Sequence, residues 1–303
     1  MEYAQKKFNR EYVFTYIPAT QEGYASDTQL VIKNPITINF NVKRDIFSAV
    51  NTLELDIYNL SKENRDFMYQ DLQSQRAYCY LEAGYKGWAK SLIFAGNAFN
   101  TLSKRDGVNA ITHVQAFDGY NALQAEVNQT LEAGSTVEDI VKIGQRTMQL
   151  DEGVYSFKNY KFVRPVELQG NAFYVINKYV NRNAYIDLGK LNIQDTNEVF
   201  EGEVLVIDDE TGLIGTPERS LEFLTIKMIF EPRIQVGQLI EIRSAFEPRY
   251  NGQYKVYGVS HSGTISDSVA GQAITTLHLW TGTTNFGGFS VINQSTQNIT
   301  PVA

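Results

Sequence analysis

In "ITINFNVKRD", from Ile36 to Asp45, and again in "NTLELDIYNLS" shortly after it, apolar and polar side chains alternate one for one. A period of two sends every second side chain to the same face of an extended strand. Both runs therefore read as half-buried antiparallel strands, the second with Leu53, Leu55 and Ile57 on one face. A short helix is expected in "KENRDFMYQDLQ", followed by three more strands in "YCYLEAGY", "SLIFAGNAF" and "AITHVQAFDG". The 18 Tyr and 17 Phe of the chain suit such strands. Five or six short strands with one small helix, ending near Asp118, predict a small β-barrel or sandwich.

The texture changes after Gly119. "GSTVEDIVKIGQRTM" carries a capping-box spacing, Ser135 to Glu138, and then Val137, Ile140, Val141, Gly144 and Met148 at helical intervals. "NAFYVINKYVNRN" reads as a second helix with Ala172, Val175, Ile176 and Tyr179 on one face, and "AYIDLGKLNI" as a hairpin turning at Gly189. From about Thr196 the strands return in "GEVLVIDDETG", "LEFLTIKMIFEP", "GQLIEIRSAF", "GQYKVYGVSHSG" and "ITTLHLWTG". Pro217, Pro232 and Pro248 are expected between these runs, because proline cannot donate to a central ladder.

A chain of 303 residues can bury two cores of ordinary size. The expected fold is mainly β with an α+β insert, two similar small antiparallel barrels flanking a mixed helical domain. The boundaries are 1–118 for the first barrel with an N-terminal extension, 119–195 for the insert, 196–284 for the second barrel and 285–303 for a Gly- and polar-rich C-terminal extension.

The two β regions can be laid over each other. Asn100 to Gly119 aligns without a gap to Gly263 to Gly282, pairing Thr101 with Thr264, Ser103 with Ser266, Ala110 with Ala273, Ile111 with Ile274, Thr112 with Thr275 and Gly119 with Gly282. Phe117 meets Trp280 and Val114 meets Leu277. A duplicated module is the expected origin. Two like modules per chain would let a three-fold assembly present six of them.

Chemistry is harder to find. A net charge of -7 is unlike a protein that grips phosphates through a basic surface, though it suits a wall along which DNA slides without sticking. Cys79 is the single cysteine, which excludes an intramolecular disulfide and a cysteine zinc site, and its strand context predicts a small buried side chain. His113, His261 and His278 lack the spacing of a metal motif and are expected to be ordinary surface or hydrogen-bonded histidines. Ser260, His261 and Ser262 are neighbours in a strand and point to opposite faces, so they make no nucleophile and base pair. Asp208, Asp209 and Glu210 are expected to shape a hairpin turn in which Gly212 supplies a positive φ. No phosphate-cradling glycine motif is present, no apolar run nears the roughly 18 residues of a membrane helix, and the N-terminus lacks the apolar core of a signal peptide. The expectation is a soluble, non-catalytic chain made in the cytoplasm, with no catalytic residue, no cofactor and no metal.

Four stretches, taken in order, resemble the baseplate hub proteins of contractile-tailed phages, the late control protein D or tail hub family related to the N-terminal part of type VI secretion spike proteins. They are "NTLELDIYNLS", then "LEAGYKG" with "LIFAGNAF", then "GSTVEDIV", and most of all "TGLIGTPER" through "MIFEPRIQVGQLIEIRS" followed by "NGQYKVYGVSHSG". The resemblance spans roughly Ile36 to Gly282. It implies a virion protein of the tail baseplate, a homotrimer whose two barrels per chain form a pseudo-hexameric ring between the hexameric tail tube protein and a trimeric spike protein. Tape-measure protein and neighbouring baseplate proteins would be further contacts. DNA would pass through the lumen without specific binding, and the lumen wall is expected to be acidic or neutral. No spike or lysozyme domain is appended, so the membrane-piercing element is expected in another chain, with no membrane insertion by this one.

In that reading the loop from Gly212 to Arg219 is an assembly surface, with Leu213 and Ile214 covered by a neighbour and Arg219 beside them. Two other readings stand against it. One is an OB-like module binding sugar or single-stranded nucleic acid, for which aromatics are plentiful and positive charge is not. The other is a cell-wall hydrolase using Asp208 and Asp209.

Overall fold

The computed structural model describes residues 7, 9–20, 25–48, 50–69, 76–220, 223–267, 271–281 and 289–292. The fold is mainly β. The N-terminal region contributes β1 (Arg10–Ile17), β2 (Leu30–Lys33), β3 (Ile38–Asp45) and β4 (Thr52–Tyr58), then helix α1 (Lys62–Met68), then β5 (Tyr78–Tyr85), β6 (Ser91–Asp106) and β7 (Asn109–Phe117). Leu53, Leu55 and Ile57 of β4 are all fully buried, as the alternation predicts. Cys79 on β5 is a free, buried thiol, and burial pushes its pKa up.

The middle region holds β8 (Glu126–Leu131), α2 (Val137–Met148), β9 (Asp151–Tyr155), β10 (Val166–Asn171), α3 (Ala172–Tyr179), β11 (Ala184–Asp187) and β12 (Lys190–Ile193). Val137, Ile140, Val141, Gly144 and Met148 all face inward from α2. The capping box sits one residue later than the sequence spacing predicts. Thr136, in extended conformation, accepts from the Asp139 amide, and the Asp139 carboxylate accepts from the Thr136 amide. Glu138 instead pairs with Lys142 one turn on. The β11–β12 hairpin turns through Leu188 and Gly189, both at positive φ, as expected of Gly189.

The C-terminal region supplies β13 (Glu198–Asp208), β14 (Leu213–Ser220), β15 (Phe223–Ile229), β16 (Gln238–Arg243), β17 (Gly252–Ile265), β18 (Ala273–Trp280) and β19 (Ser290–Ile292). Among the described residues fourteen strands form one sheet, whose main path runs β14-β15-β18-β17-β3-β4-β7-β6-β5-β1-β2, with β16 also on β17 and β13 on β16. Three apolar clusters lie beneath: one under the N-terminal strands, one inside the middle region and one under the C-terminal strands.

The sheet contains the same five-strand pattern twice. In the first half the pairing order is β3-β4-β7-β6-β5, in the second β14-β15-β18-β17-β16, every neighbour antiparallel and the chain order identical. The registers agree as well. Phe117 pairs with Thr52 as Trp280 pairs with Phe223, and Asn97 pairs with Phe117 as Lys255 pairs with Trp280. Both long strands carry an irregularity at the same point, at Phe99 in β6 and at Tyr257 in β17.

The ungapped sequence alignment is right for β7 and β18 but five residues out for the strand before each. Thr101 is equivalent to Val259, and Ser103 to His261. The matches of Thr101 to Thr264 and Ser103 to Ser266 are accidents of composition. The correct register is visible in a shared hydrogen bond: Ser103 Oγ to Thr112 Oγ1 at 3.0 Å, and His261 Nδ1 to Thr275 Oγ1 at 2.9 Å. Gly282 and most of 285–303 lie outside the described residues.

Three further expectations change. β1 is a full strand laid along β5, although "REYVFTYI" falls in what reads as an N-terminal extension; its Tyr12, Phe14 and Tyr16 alternate inward. Pro217 lies inside β14 rather than between strands. β14 is an edge strand and its ladder with β15 is interrupted between Ile214 and Glu218, which is where a proline does least harm. Among the described residues, neither half closes into a barrel on itself: no ladder joins β1 to β3 or β13 to β14, and β3 pairs instead with β17 of the other half.

Candidate assembly surface

Edge strand β14 carries the three residues singled out by sequence. Leu213 is already covered by this chain, at 9% exposure in the C-terminal cluster, so it needs no neighbour. Ile214 is 42% exposed, and Arg219 is exposed farther along the strand. Gly212 takes φ 112° and lets the chain turn into the strand. Thus the "GLIG" stretch is the start of a strand, with one apolar side chain inward and one outward.

A second exposed edge was not anticipated. β6 runs 16 residues, and its first part lies between β5 and β7. From Asn100 to Asp106 it has β7 on one side and no strand on the other among the described residues, and most of this stretch is exposed. Leu102 within it is 58% exposed. The signal was the unusual length of the run from "SLIFAGNAF" into "NTLSKRD", whose second half loses the apolar alternation.

Where the two halves meet, β17 and β3 pair from Gly258 with Asp45 to Ile265 with Ile38. One face of this junction is buried. Val42, Val259 and His261 are at most 1% exposed. Arg44 of β3 lies beneath it and holds the β11 residue Asp187 by two hydrogen bonds, Nε to Oδ1 at 2.8 Å and Nη2 to Oδ2 at 2.6 Å. Asn51 donates to the same carboxylate at 3.0 Å, and Asp118 accepts from the Gly189 amide at 3.1 Å. Burial, and then the Asp187 charge, push Asp118 up to about 7, while burial and the Arg44 charge hold His261 down to about 3. These shifts are those of an enclosed polar pin between sheet and insert, since Arg44, Asn51, Asp118, Asp187 and His261 are all buried and both carboxyl groups accept from fixed donors.

The other chemical candidates resolve into local structure. Asp208 accepts from the Thr211 amide at 2.7 Å and Asp209 from the Ala245 amide at 2.9 Å, so both carboxylates tie down loops. His113 pairs with Asp56 at 2.8 Å, and His278 Nδ1 bonds Thr225 at 3.2 Å. His261 lies mid-strand and buried. Among the described residues no group of three or more His, Cys, Asp or Glu side chains could hold a metal, and no helix is long and apolar enough to cross a membrane. A cleft of about 620 Å³ opens between insert and sheet, lined by Phe47, Tyr174, Lys178, Arg182 and Tyr257 among others. Phe47 stacks on Tyr257 there at 3.8 Å between ring centres.

The family model described as baseplate hub gp41 matches residues 20–266. Among curated protein sequences none matches the chain. Among solved structures, the 43 kDa tail protein of prophage MuSo2 from Shewanella oneidensis is similar at a TM-score of 0.59 and 8% identity, over 89% of this chain and 96% of that one. The tail protein from Neisseria meningitidis MC58 is similar at 0.55 and 10% identity, over 81% and 96%. The E. coli c3393 protein, a type VI secretion component with structural similarity to the T4 bacteriophage tail proteins gp27 and gp5, gives 0.56 and 10% identity, over 84% and 76%. At such identities the likeness is one of fold.

Proposed function

The chain belongs to the baseplate hub gp41 family, and from that premise we propose that it is the trimeric adaptor of a phage baseplate, joining a hexameric tail tube to a trimeric spike. The observation that carries this reading is the duplicated five-strand order with its matching registers. Three copies of a chain with two equivalent halves present six equivalent units, which meets six-fold symmetry on one side and three-fold on the other.

On this reading 1–118 and 196–284 are two tube-like domains and 119–195 is an insert outside the ring. The role is structural rather than enzymatic. Ile214 and Arg219 belong to a contact surface, and DNA passes through an acidic or neutral lumen without specific binding. The native mass of the purified chain, alone and mixed with the phage's spike protein, tests it. A trimer in either sample supports the adaptor, and a monomer in both overturns it.

A second reading is favoured by the aromatic and basic cleft around Phe47, Tyr174, Lys178 and Arg182, which suits sugar or single-stranded nucleic acid. Salt-dependent binding of an oligonucleotide, lost in Lys178→Glu, is its expected signature.

A further inference from the structure

Inside the chain, the second half of β17 takes β3 as its neighbour. The first-half equivalent of that β17 stretch is the outer part of β6, and the second-half equivalent of β3 is β14. Each of those two edges is left without a strand among the described residues. We propose that β6 of one copy pairs antiparallel with β14 of a second copy, in the register that β17 and β3 adopt within one chain. The proposal rests on the trimeric hub reading and names the surface by which the copies join.

Burial points the same way. Val259 and His261 are buried under β3, whereas their counterparts Thr101 and Ser103 are half-buried and exposed; Val42 is buried under β17, whereas its counterpart Arg219 is exposed. Each half is thus finished at the internal junction and unfinished at the equivalent external place. An exposed strand edge is a template for another strand, and here the two open edges are complementary by descent from one joint.

The register follows residue by residue. His261 opposite Val42 becomes Ser103 opposite Arg219, and Ser262 opposite Asn41 becomes Lys104 opposite Glu218. A cation therefore faces an anion across the new ladder. Leu102 and Ile214, the two exposed aliphatic side chains of these edges, both fall within it. Each copy offers one β6 edge and one β14 edge, so the contact is head-to-tail. It closes after three copies, with three internal joints alternating with three external ones.

Paired cysteines read the register directly. Cys79 is buried and does not compete. Under mild oxidation Lys104→Cys/Glu218→Cys is expected to give covalent species of two and three chains on a denaturing gel, which neither single variant gives. Lys104→Cys/Ser220→Cys, two residues out of register, is expected to link at least about tenfold more slowly. Independently of thiols, Lys104→Glu is expected to raise the concentration needed for trimer by about tenfold, and Lys104→Glu/Glu218→Lys to restore it. A trimer by native mass in which the cysteine pair does not link and the charge swap does not restore overturns the ladder while leaving the hub reading intact. A chain that stays monomeric and unlinked overturns both.

Discussion

The two halves share five strands, their order and a matching irregularity, yet they differ in what covers them. β3 is sealed by β17, while β14 faces outward. The sixth strand differs too: β1 lies antiparallel on β5, whereas β13 lies parallel on β16. Polar positions have diverged as well. Asp118 in the first half corresponds to Thr281 in the second, and Ser103 and Asn97 correspond to His261 and Lys255, so each half buries titrating groups where its counterpart is neutral. Duplication preserved the pairing that defines the sheet and left its rims free to specialise.

The largest expected effect breaks the pin between sheet and insert, beneath the joint at which the halves meet. Arg44→Met should destabilise the chain by about 3–5 kcal/mol in denaturant unfolding, because it leaves the Asp187 carboxylate buried without its cation. A loss under 1 kcal/mol would mean that the pin does not hold the insert to the sheet.

Next come two equivalent core positions. Leu55 of β4 and Ile226 of β15 occupy the same place in their halves and are both buried. Leu55→Ala and Ile226→Ala are each expected to cost about 2–5 kcal/mol and to move one shared unfolding transition. Two separate transitions, each sensitive to one variant, would show that the β17–β3 ladder does not make the halves one cooperative unit.

The smallest effect is a pair of opposed pH slopes. Asp118 keeps its proton up to about 7 in the fold against 3.8 in a free chain, so it contributes a loss of stability as pH rises from about 4 to 7. His261 stays neutral in the fold down to about 3 against 6.5 when free, so it contributes a loss as pH falls from 6.5 to 3. Between pH 4 and 6.5 the two oppose each other. In His261→Gln stability should decline toward pH 7, and in Asp118→Asn toward pH 3, at up to about 1.4 kcal/mol per pH unit in melts across that range. Unchanged profiles in both variants would remove the titrating difference between the halves.

Much of the sheet was legible because one face of it is buried. β3, β4 and β15 alternate strictly, β7 does so from Thr112 onward, and the apolar stripe of α2 is read without error. β1 carries the same signal in Tyr12, Phe14 and Tyr16, but it stands beside a polar N-terminus that masks it. β14 was missed as a strand because an edge strand can hold Gly215 and Pro217 at a break in its ladder. The site was half legible. Residue types marked β14 as unusual, but which apolar side chain pointed outward depended on a register that only pairing with β15 sets, and Leu213 turned inward. The open edge of β6 depends on what its distant counterpart does, which no local pattern encodes.

The β17–β3 ladder joins two pieces of one polypeptide, so its partners meet at an effective concentration near the millimolar range whatever the dilution of the protein. A single-copy ancestor would have had to find that partner by collision. Fusing two copies turns one sheet joint from a second-order encounter into a first-order closure, complete in each chain before it meets any other.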